Sequence, residues 1–419
     1  MNGKTRAALT LSAALLLGTV VVLAPATPTY AAKEKGPQVS RDLMKPLKEA
    51  QELAGKGEFP AAEAELLKAN GEEKKTPYDQ FVINELLGFV YIKQDKLNEA
   101  AIAFEDGLKS GLLPAEEVDK RLRLLSQIFL QTKPQDLAKA GEYGKRWLEA
   151  TGNHDPEMLG QVGHIAYLNN NYQEALDYVK QAVDLTKAAG QKPEQNWLLI
   201  EQSAYAKLNN TAAIVDVAMD LVRYYPTKEH WQVILDNELG QAKNDDRRII
   251  QVFRLMAAIG GMDDANAVRE AASVAIRRGF PGEAVRYLDK GKSSGVLVQA
   301  GDQTKGKDLR DDAERLAAAD RKSLPQFEKE AAAAKAGEAD VKLGETYLSY
   351  DQPAKAAEVI QRGIGKGGVK NLDEAELALG RAYLQAGNKA DAAKAFAQVT
   401  SPEFAQLAKL WAIHVGQLQ

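Results

Sequence analysis

Three segments of the chain share one spacing of residues and decide the fold: ELLGFVYIKQDKLNEAAIAFEDGL (85–108), VKLGETYLSYDQPAKAAEVIQRGI (341–364) and LALGRAYLQAGNKADAAKAFAQVT (377–400). Each has a glycine, a tyrosine three residues later, an alanine twelve later and a large apolar residue sixteen later. In the first segment these are Gly88, Tyr91, Ala100 and Phe104. Because residues three, four or seven apart share one face of an α-helix, the spacing predicts two helices in close contact.

Looser copies of the pattern fill most of the remaining chain. The small or polar residues that lead each copy are Ala50, Gly88, Gly163, Gln202, Asn237, Ala272, Gly344 and Gly380. Most neighbouring leads are 35 to 39 residues apart, and two gaps are about twice as long. One degenerate unit is therefore expected in each long gap, near Ser126 and near Asp308, which gives about ten units between 40 and 400. An ordinary helical bundle is the alternative, but it predicts no fixed period.

This motif resembles the tetratricopeptide repeat (TPR) family. The resemblance implies an all-α solenoid of helix–turn–helix units, in which each pair buries its apolar face against the next pair. The last predicted helix, Pro402 to Val415, carries Phe404, Leu407 and Trp411 and is expected to cap the array. No segment alternates apolar and polar residues over a sustained length, so little or no β-sheet is expected.

The first residues have the pattern of an export signal. Lys4 and Arg6 precede an uncharged apolar run, and Pro25 and small residues near Ala31 follow it. This pattern predicts a signal peptide over 1–31 that is cleaved after about Ala31, and hence an exported, periplasmic protein. The alternative is an uncleaved anchor in the inner membrane, for which the 17-residue run from Ala7 to Leu23 is short.

The rest of the chain is predicted to have four parts. Residues 32–40 are a flexible lead, and 41–290 form an N-terminal lobe of the TPR-like array. The glycine- and serine-rich segment GKSSGVLVQAGDQTKGK at 291–307 is interpreted as an irregular loop. Residues 308–419 then form a C-terminal lobe that ends in the capping helix.

Composition excludes several classes of function. The formal charge is −4, which gives no electrostatic reason for nucleic-acid binding, and the absence of cysteine removes disulfides, thiolate metal sites and a cysteine nucleophile. The four histidines are not at a metal-binding helical spacing. Gly291, Lys292 and Ser293 match neither a complete phosphate loop nor a nucleophile elbow, which needs a preceding strand. No catalytic residue, metal or cofactor is therefore assigned, and the chain is interpreted as a non-enzyme.

In the TPR family the first helix of each pair lines the concave face, where ligands usually lie. Positions flanking the small lead residue would face that groove, although about half of them could be ordinary packing between helices. The predicted groove residues are Glu85, Phe89, Ile92, His164, Tyr167, Trp231, Glu238, Arg269 and Arg381. Such a mixed groove with aromatic anchors suits an extended peptide or a protein helix. None of the positions directly after the lead is the asparagine that TPR proteins use to clamp a C-terminal carboxylate, so that mode is disfavoured.

The resemblance implies a periplasmic TPR scaffold or adaptor for protein or peptide partners in envelope transport, secretion or assembly, including TonB-type energy transduction. Contact with a membrane is expected only through an uncleaved signal segment. The alternative is a glycan-handling role in polysaccharide export or peptidoglycan binding, with Tyr167 and Trp231 as aromatic platforms. A third hypothesis, an enzyme or enzyme subunit, needs a clustered catalytic set that the sequence does not offer.

Overall fold

The structure is a computed structural model that describes residues 37–152 and 154–418. Over these residues the chain forms twenty α-helices and no β-strand. The predicted signal peptide over 1–31 lies outside the described residues. The helices are α1 Arg41–Gly55, α2 Phe59–Gly71, α3 Pro77–Lys93, α4 Leu97–Lys109, α5 Ala115–Phe129, α6 Leu137–Thr151, α7 Pro156–Leu168, α8 Tyr172–Ala188, α9 Gln195–Lys207, α10 Thr211–Tyr224, α11 Lys228–Ala242, α12 Asp246–Ala258, α13 Ala265–Arg277, α14 Pro281–Ser293, α15 Ala300–Ala333, α16 Glu338–Ser349, α17 Pro353–Lys366, α18 Leu372–Gln385, α19 Lys389–Ala397 and α20 Ala405–Gln417.

The repeated motif brings two helices of a pair into close contact. A Cβ atom built on Gly88 would lie 2.5 Å from the Phe104 ring, and one built on Gly380 would lie 2.5 Å from the Phe396 ring. The intervening alanine, Ala100 in the first of these pairs, is fully buried. Glycine is thus required at Gly88 and Gly380, because the large apolar residue sixteen positions later occupies the space that a side chain would need. The prediction of an all-α array of TPR-like helix pairs is confirmed.

Some of the helix pairs begin at a capping side chain, as α3 does at Thr76 and α7 does at Asp155. Thr76 Oγ1 accepts a hydrogen bond from the Asp79 N–H at 3.1 Å, and Asp79 Oδ2 accepts one from the Thr76 N–H at 2.8 Å. Pro77 occupies the first turn of α3, where its missing N–H is not needed. The similar sequence at Ser401 does not start a helix: its Oγ accepts no capping hydrogen bond among the described residues, and 402–404 form a turn. The Ser401 N–H donates instead to Asp373 Oδ2 at 2.7 Å. The capping helix α20 therefore begins at Ala405 rather than Pro402.

The residues just before α1 are held in place by α3. The Ser40 N–H donates to Asp79 Oδ1 at 2.8 Å, and Ser40 Oγ donates to Asp79 Oδ2 at 2.6 Å. Burial tends to raise the pKa of Asp79, but these bonds and those from Thr76 hold it below its ordinary value. The expected flexible lead over 32–40 is thus anchored at its last residue.

The two expected degenerate units have different structures. Near Ser126 the chain forms the complete pair α5/α6, and Ser126 Oγ donates to Ala140 O at 2.7 Å across it. Near Asp308 there is no pair: α15 is one helix of 34 residues. Ala, Lys, Arg and Glu, which favour helix, are frequent in that segment, and from Lys307 to Ala333 it contains neither Gly nor Asn to form a turn. Pro325 lies inside the helix without ending it. The described residues therefore hold nine helix pairs together with the single helices α15 and α20.

The glycine-rich segment is mostly helical and does not divide the chain. Helix α14 continues to Ser293 and α15 begins at Ala300, so the expected loop over 291–307 shrinks to 294–299. The described residues divide into unit 1, up to Pro193, and unit 2, from Glu194, which differs from the expected lobes 41–290 and 308–419. The chain does not divide at the glycine-rich segment because side chains of α14 bind the end of α16 beyond it. For example, Arg286 Nη1 donates a hydrogen bond to Leu348 O at 2.8 Å.

The capping helix closes unit 2 on itself. Leu407, Leu410 and Trp411 of α20 are at most 2% exposed, and they belong to one apolar core with residues of α10 to α14. Helix α20 packs on α19 as well as on α10 and α12. The Gln417 Nε2 amide donates to Val222 O, near the end of α10, at 2.6 Å. The last helix thus covers the array end and also contacts the first pairs of the same unit.

None of the described helices has the length and apolar character needed to cross a membrane.

Candidate functional site

In unit 1 the predicted groove residues of α3 are half-buried and engaged with neighbouring helices. Glu85 forms a two-pronged ion pair with Arg121 of α5, at 2.6 and 2.5 Å. The Phe89 ring meets the ring of Phe59 edge-on, with centroids 6.5 Å apart. Ile92 packs beside the apolar core that α4 to α7 form. These side chains retain partial solvent access, so α3 presents a mixed acidic, aromatic and aliphatic face.

Helix α7 carries the other predicted residues of unit 1. His164 is exposed on one side, while the protein atoms around the rest of its ring lower its pKa by desolvation. It is therefore neutral at pH 7. Tyr167 is half-buried and its ring lies against Tyr172, with centroids 5.6 Å apart. The five predicted positions on α3 and α7 thus all remain at least partly accessible.

In unit 2 three of the four predicted groove residues are buried. Trp231 is 4% exposed and lies in the apolar core, so it stabilises the unit instead of offering a ring to a partner. Glu238 is 2% exposed, and burial raises its pKa although Arg248 lies 3.9 Å away. Arg381 is 3% exposed. Arg269 is half-buried and its guanidinium binds Asp302 of α15.

A buried network of charges in unit 2 is not foreseen by the sequence analysis. Arg254 of α12 binds Glu283 of α14 through Nε–Oε1 at 3.0 Å and Nη2–Oε2 at 2.9 Å. The Tyr287 hydroxyl donates to the same carboxylate at 2.8 Å. Burial opposes ionisation of Glu283, but the Arg254 guanidinium lowers its pKa to about 2. The signal in the sequence is that Arg254 stands among the apolar residues of α12, where an unpaired arginine would be costly.

Two further groups complete this network. Glu345 of α16 lies 3.8 Å from Arg254 Nη1, and its pKa is raised by burial. Arg381 of α18 donates one long hydrogen bond, at 3.4 Å, to Gln251 of α12. Burial and the neighbouring Arg254 charge lower the pKa of Arg381 to about 10. The network therefore joins α12, α14, α16 and α18, and it places Glu345 and Arg381, which each directly follow a lead glycine, in the interior.

The described residues contain no group of three His, Cys, Asp or Glu side chains placed to bind a metal ion.

Comparisons with known proteins give similarity in fold only. No family model matches the chain, and no curated protein matches it. Among solved structures it is similar to the C-terminal part of a TPR repeat-containing protein from Cytophaga hutchinsonii, at 15% identity over 63% of this chain and 98% of that one, with a TM-score of 0.33. It is also similar to a tetratricopeptide repeat protein from Parabacteroides merdae, at 13% identity over 79% of this chain and 98% of that one, with a TM-score of 0.27. A third similar structure is the TPR2AB domain of yeast Sti1 in complex with pHSP90, at 13% identity over 73% of this chain and 98% of that one, with a TM-score of 0.25.

Proposed function

We propose that this chain is a non-enzymatic scaffold that binds an extended segment of a partner protein along α3 and α7 of unit 1. One observation carries the proposal: the groove-type positions of unit 1 are accessible, whereas Trp231, Glu238 and Arg381 are covered by unit 2 itself. Stacked helix pairs provide an extended surface of this kind, and repeat arrays commonly use it for binding. The side chains offered are those of Glu85, Phe89, Ile92, His164 and Tyr167.

The chemistry of this surface suggests how a partner segment would be recognised. The Phe89 and Tyr167 rings provide apolar contact area at a small loss of side-chain entropy, and aromatic anchors often dominate interface energetics. Glu85 is neutralised by Arg121, and His164 is neutral at pH 7, while the Lys93 ammonium lies 5.5 Å from the centroid of the Phe89 ring and adds one positive charge there. A segment with apolar side chains spaced along an extended chain or a helix would match it better than a strongly charged one.

The finer part of the proposal concerns location and pathway. We propose that the scaffold is periplasmic and serves transport, secretion or assembly machinery in a bacterial envelope, with TonB-type energy transduction as one such pathway. The support is the export-signal pattern of residues 1–31 together with the TPR-like array. The glycan-handling alternative relies on Tyr167 and Trp231 as platforms, and the burial of Trp231 leaves it with one ring.

Affinity capture from envelope extracts of the source cells tests the scaffold role. Phe89→Ala should reduce the yield of co-purified partner at least tenfold, because removing an aromatic anchor commonly costs about 2 kcal/mol or more, a factor of roughly 30. Ile102→Ala is the matched control, since Ile102 is 60% exposed on α4, the second helix of the same pair. Equal capture by the wild type, Phe89→Ala and Ile102→Ala would refute the assignment to α3.

A further inference from the structure

A cavity of about 630 Å³ lies inside unit 2, beside the buried charge network. Helices α12, α14, α18 and α20 provide most of its wall. Its inner part is formed by side chains that are less than 10% exposed, including Arg254, Arg381 and Trp411. Exposed residues such as Lys290 and Gln385 stand at the opening. Its volume falls within the range of about 300 to 1,000 Å³ that is common for small-molecule sites.

The wall of the cavity carries an excess of positive charge. Five basic side chains line it against three acidic ones, and His414 adds none at neutral pH because burial lowers its pKa. In the interior Glu283 is fully engaged by Arg254 and Tyr287. Glu345, another carboxyl group nearby, lies 3.8 Å from the Nη1 group of Arg254, and in the described part of the chain no ion pair joins a carboxylate to Arg381. The interior thus has one arginine, Arg381, that has no carboxylate partner among the described residues and is bonded only to Gln251.

Several buried donors at this place lack an acceptor. Arg381 is only 3% exposed, yet among the described residues its guanidinium makes one hydrogen bond, the long one to Gln251. The Nη1 group of Arg254 and the Nε1 group of Trp411 are buried and have no hydrogen-bond partner in the described part of the chain. A buried donor without an acceptor costs about 1–3 kcal/mol, and more when it is charged. An anion in the cavity would supply acceptors.

The remaining wall is apolar. Leu384, Leu418, Ala257 and the Trp411 ring all line the same space. We propose that the cavity binds a small organic acid whose single carboxylate is held by the Arg381 guanidinium and whose apolar body lies against Leu384 and the Trp411 ring. A monoanion fits better than a phosphate, because the ionised carboxylate of Glu283 would repel a second negative charge. This site is separate from the partner surface of unit 1.

The test uses 4-phenylbutanoate as the acid and 4-phenylbutanamide as its uncharged counterpart. The indole N–H signals of the full-length, ¹⁵N-labelled protein are followed during titration, and Trp411→Phe assigns the signal of the cavity. The acid should shift the Trp411 signal saturably and leave those of Trp147, Trp197 and Trp231 unchanged. The amide should bind at least about tenfold more weakly, because a charged hydrogen bond is lost. No saturable shift with the acid, or equal binding of the amide, would overturn the proposal.

Variants separate a binding role of Arg381 from a structural one. Arg381→Met keeps most of the side-chain volume and should weaken binding of the acid at least about tenfold. Arg121→Met removes a similarly buried arginine in unit 1 and should leave the affinity unchanged. Leu384→Phe narrows the cavity without altering the charges, so it should also weaken binding, and it tests the site even where Arg381→Met fails to fold. Unchanged affinity in a folded Arg381→Met protein, or in Leu384→Phe, would contradict the assignment.

Discussion

The tight contact between Gly380 and Phe396 makes a specific prediction about stability. Alanine is a better helix former than glycine by about 1 kcal/mol, so Gly380→Ala would stabilise α18 if space were available. A Cβ atom there would lie 2.5 to 2.7 Å from three atoms of the Phe396 ring. That ring is 2% exposed and stacks on Trp411 with centroids 5.4 Å apart, so it has little room to move. Overpacking of this kind costs about 1–3 kcal/mol.

The two effects together predict that Gly380→Ala destabilises unit 2 by up to about 2 kcal/mol. The control is Gly240→Ala in α11 of the same unit, where nothing lies within 4 Å of the built Cβ atom. That variant should gain about 1 kcal/mol from helix propensity alone. For a unit of this size, 1 kcal/mol corresponds to a shift in Tm of about 2–4 °C.

Thermal unfolding of the full chain, together with hydrogen exchange in α18 and α19, measures the difference. Gly380→Ala should lower the Tm and speed exchange in those helices, whereas Gly240→Ala should raise the Tm. The second substitution Phe396→Leu should recover part of the loss in Gly380→Ala, because it removes the ring atoms in the way. A change of the same sign in Gly380→Ala and Gly240→Ala would refute the packing argument.

Three further predictions concern stability. Asp79→Asn should destabilise the protein by about 1.5–3 kcal/mol at pH 7, because the lowered pKa of Asp79 means that its hydrogen bonds favour the ionised form. The difference in unfolding free energy between the variant and the wild type should shrink as the pH falls below about 4, and chemical denaturation at pH 7 and pH 3 would show it. Arg254→Met or Glu283→Leu alone should lower the free energy of unfolding by about 3–5 kcal/mol, since each leaves a buried charge unpaired. The double variant should lose less than either single variant. A double-mutant cycle from urea unfolding measures this, and additive losses of stability would contradict it. Trp231→Ala should cost about 3–5 kcal/mol, because its side chain is buried in the core, and a melting temperature equal to that of the wild type would show that Trp231 is not a core residue.

The repeat and its packing can be predicted from sequence because they depend on local spacing. Gly88 and Phe104 are sixteen residues apart, and both the helix period and the short turn between α3 and α4 are visible in the letters. The degenerate pair near Ser126 follows from the period alone. The capping helix also follows from an apolar face at the end of the chain, although it starts at Ala405.

The division of the chain and the interior of unit 2 depend on contacts between distant residues, which no local pattern contains. Arg381 binds Gln251, which is 130 positions earlier, and Gln417 binds Val222. For the same reason the repeat pattern assigns Arg381 and Trp231 to an open groove, although the closure of unit 2 buries them. The glycines over 291–307 indicate a loop, but helix formers on both sides extend α14 and α15 into that segment.

Site-specific photo-crosslinking in the source cells tests the partner surface of unit 1 most directly. A photoreactive amino acid replaces Phe89, His164 or Ile102 in turn, and mass spectrometry identifies the attached peptides. We expect positions 89 and 164 to attach to segments of one and the same partner protein, and position 102 to leave it unattached. Attachment of that partner at position 102 as readily as at 89 and 164, or no attachment at either groove position, would contradict a partner surface on α3 and α7.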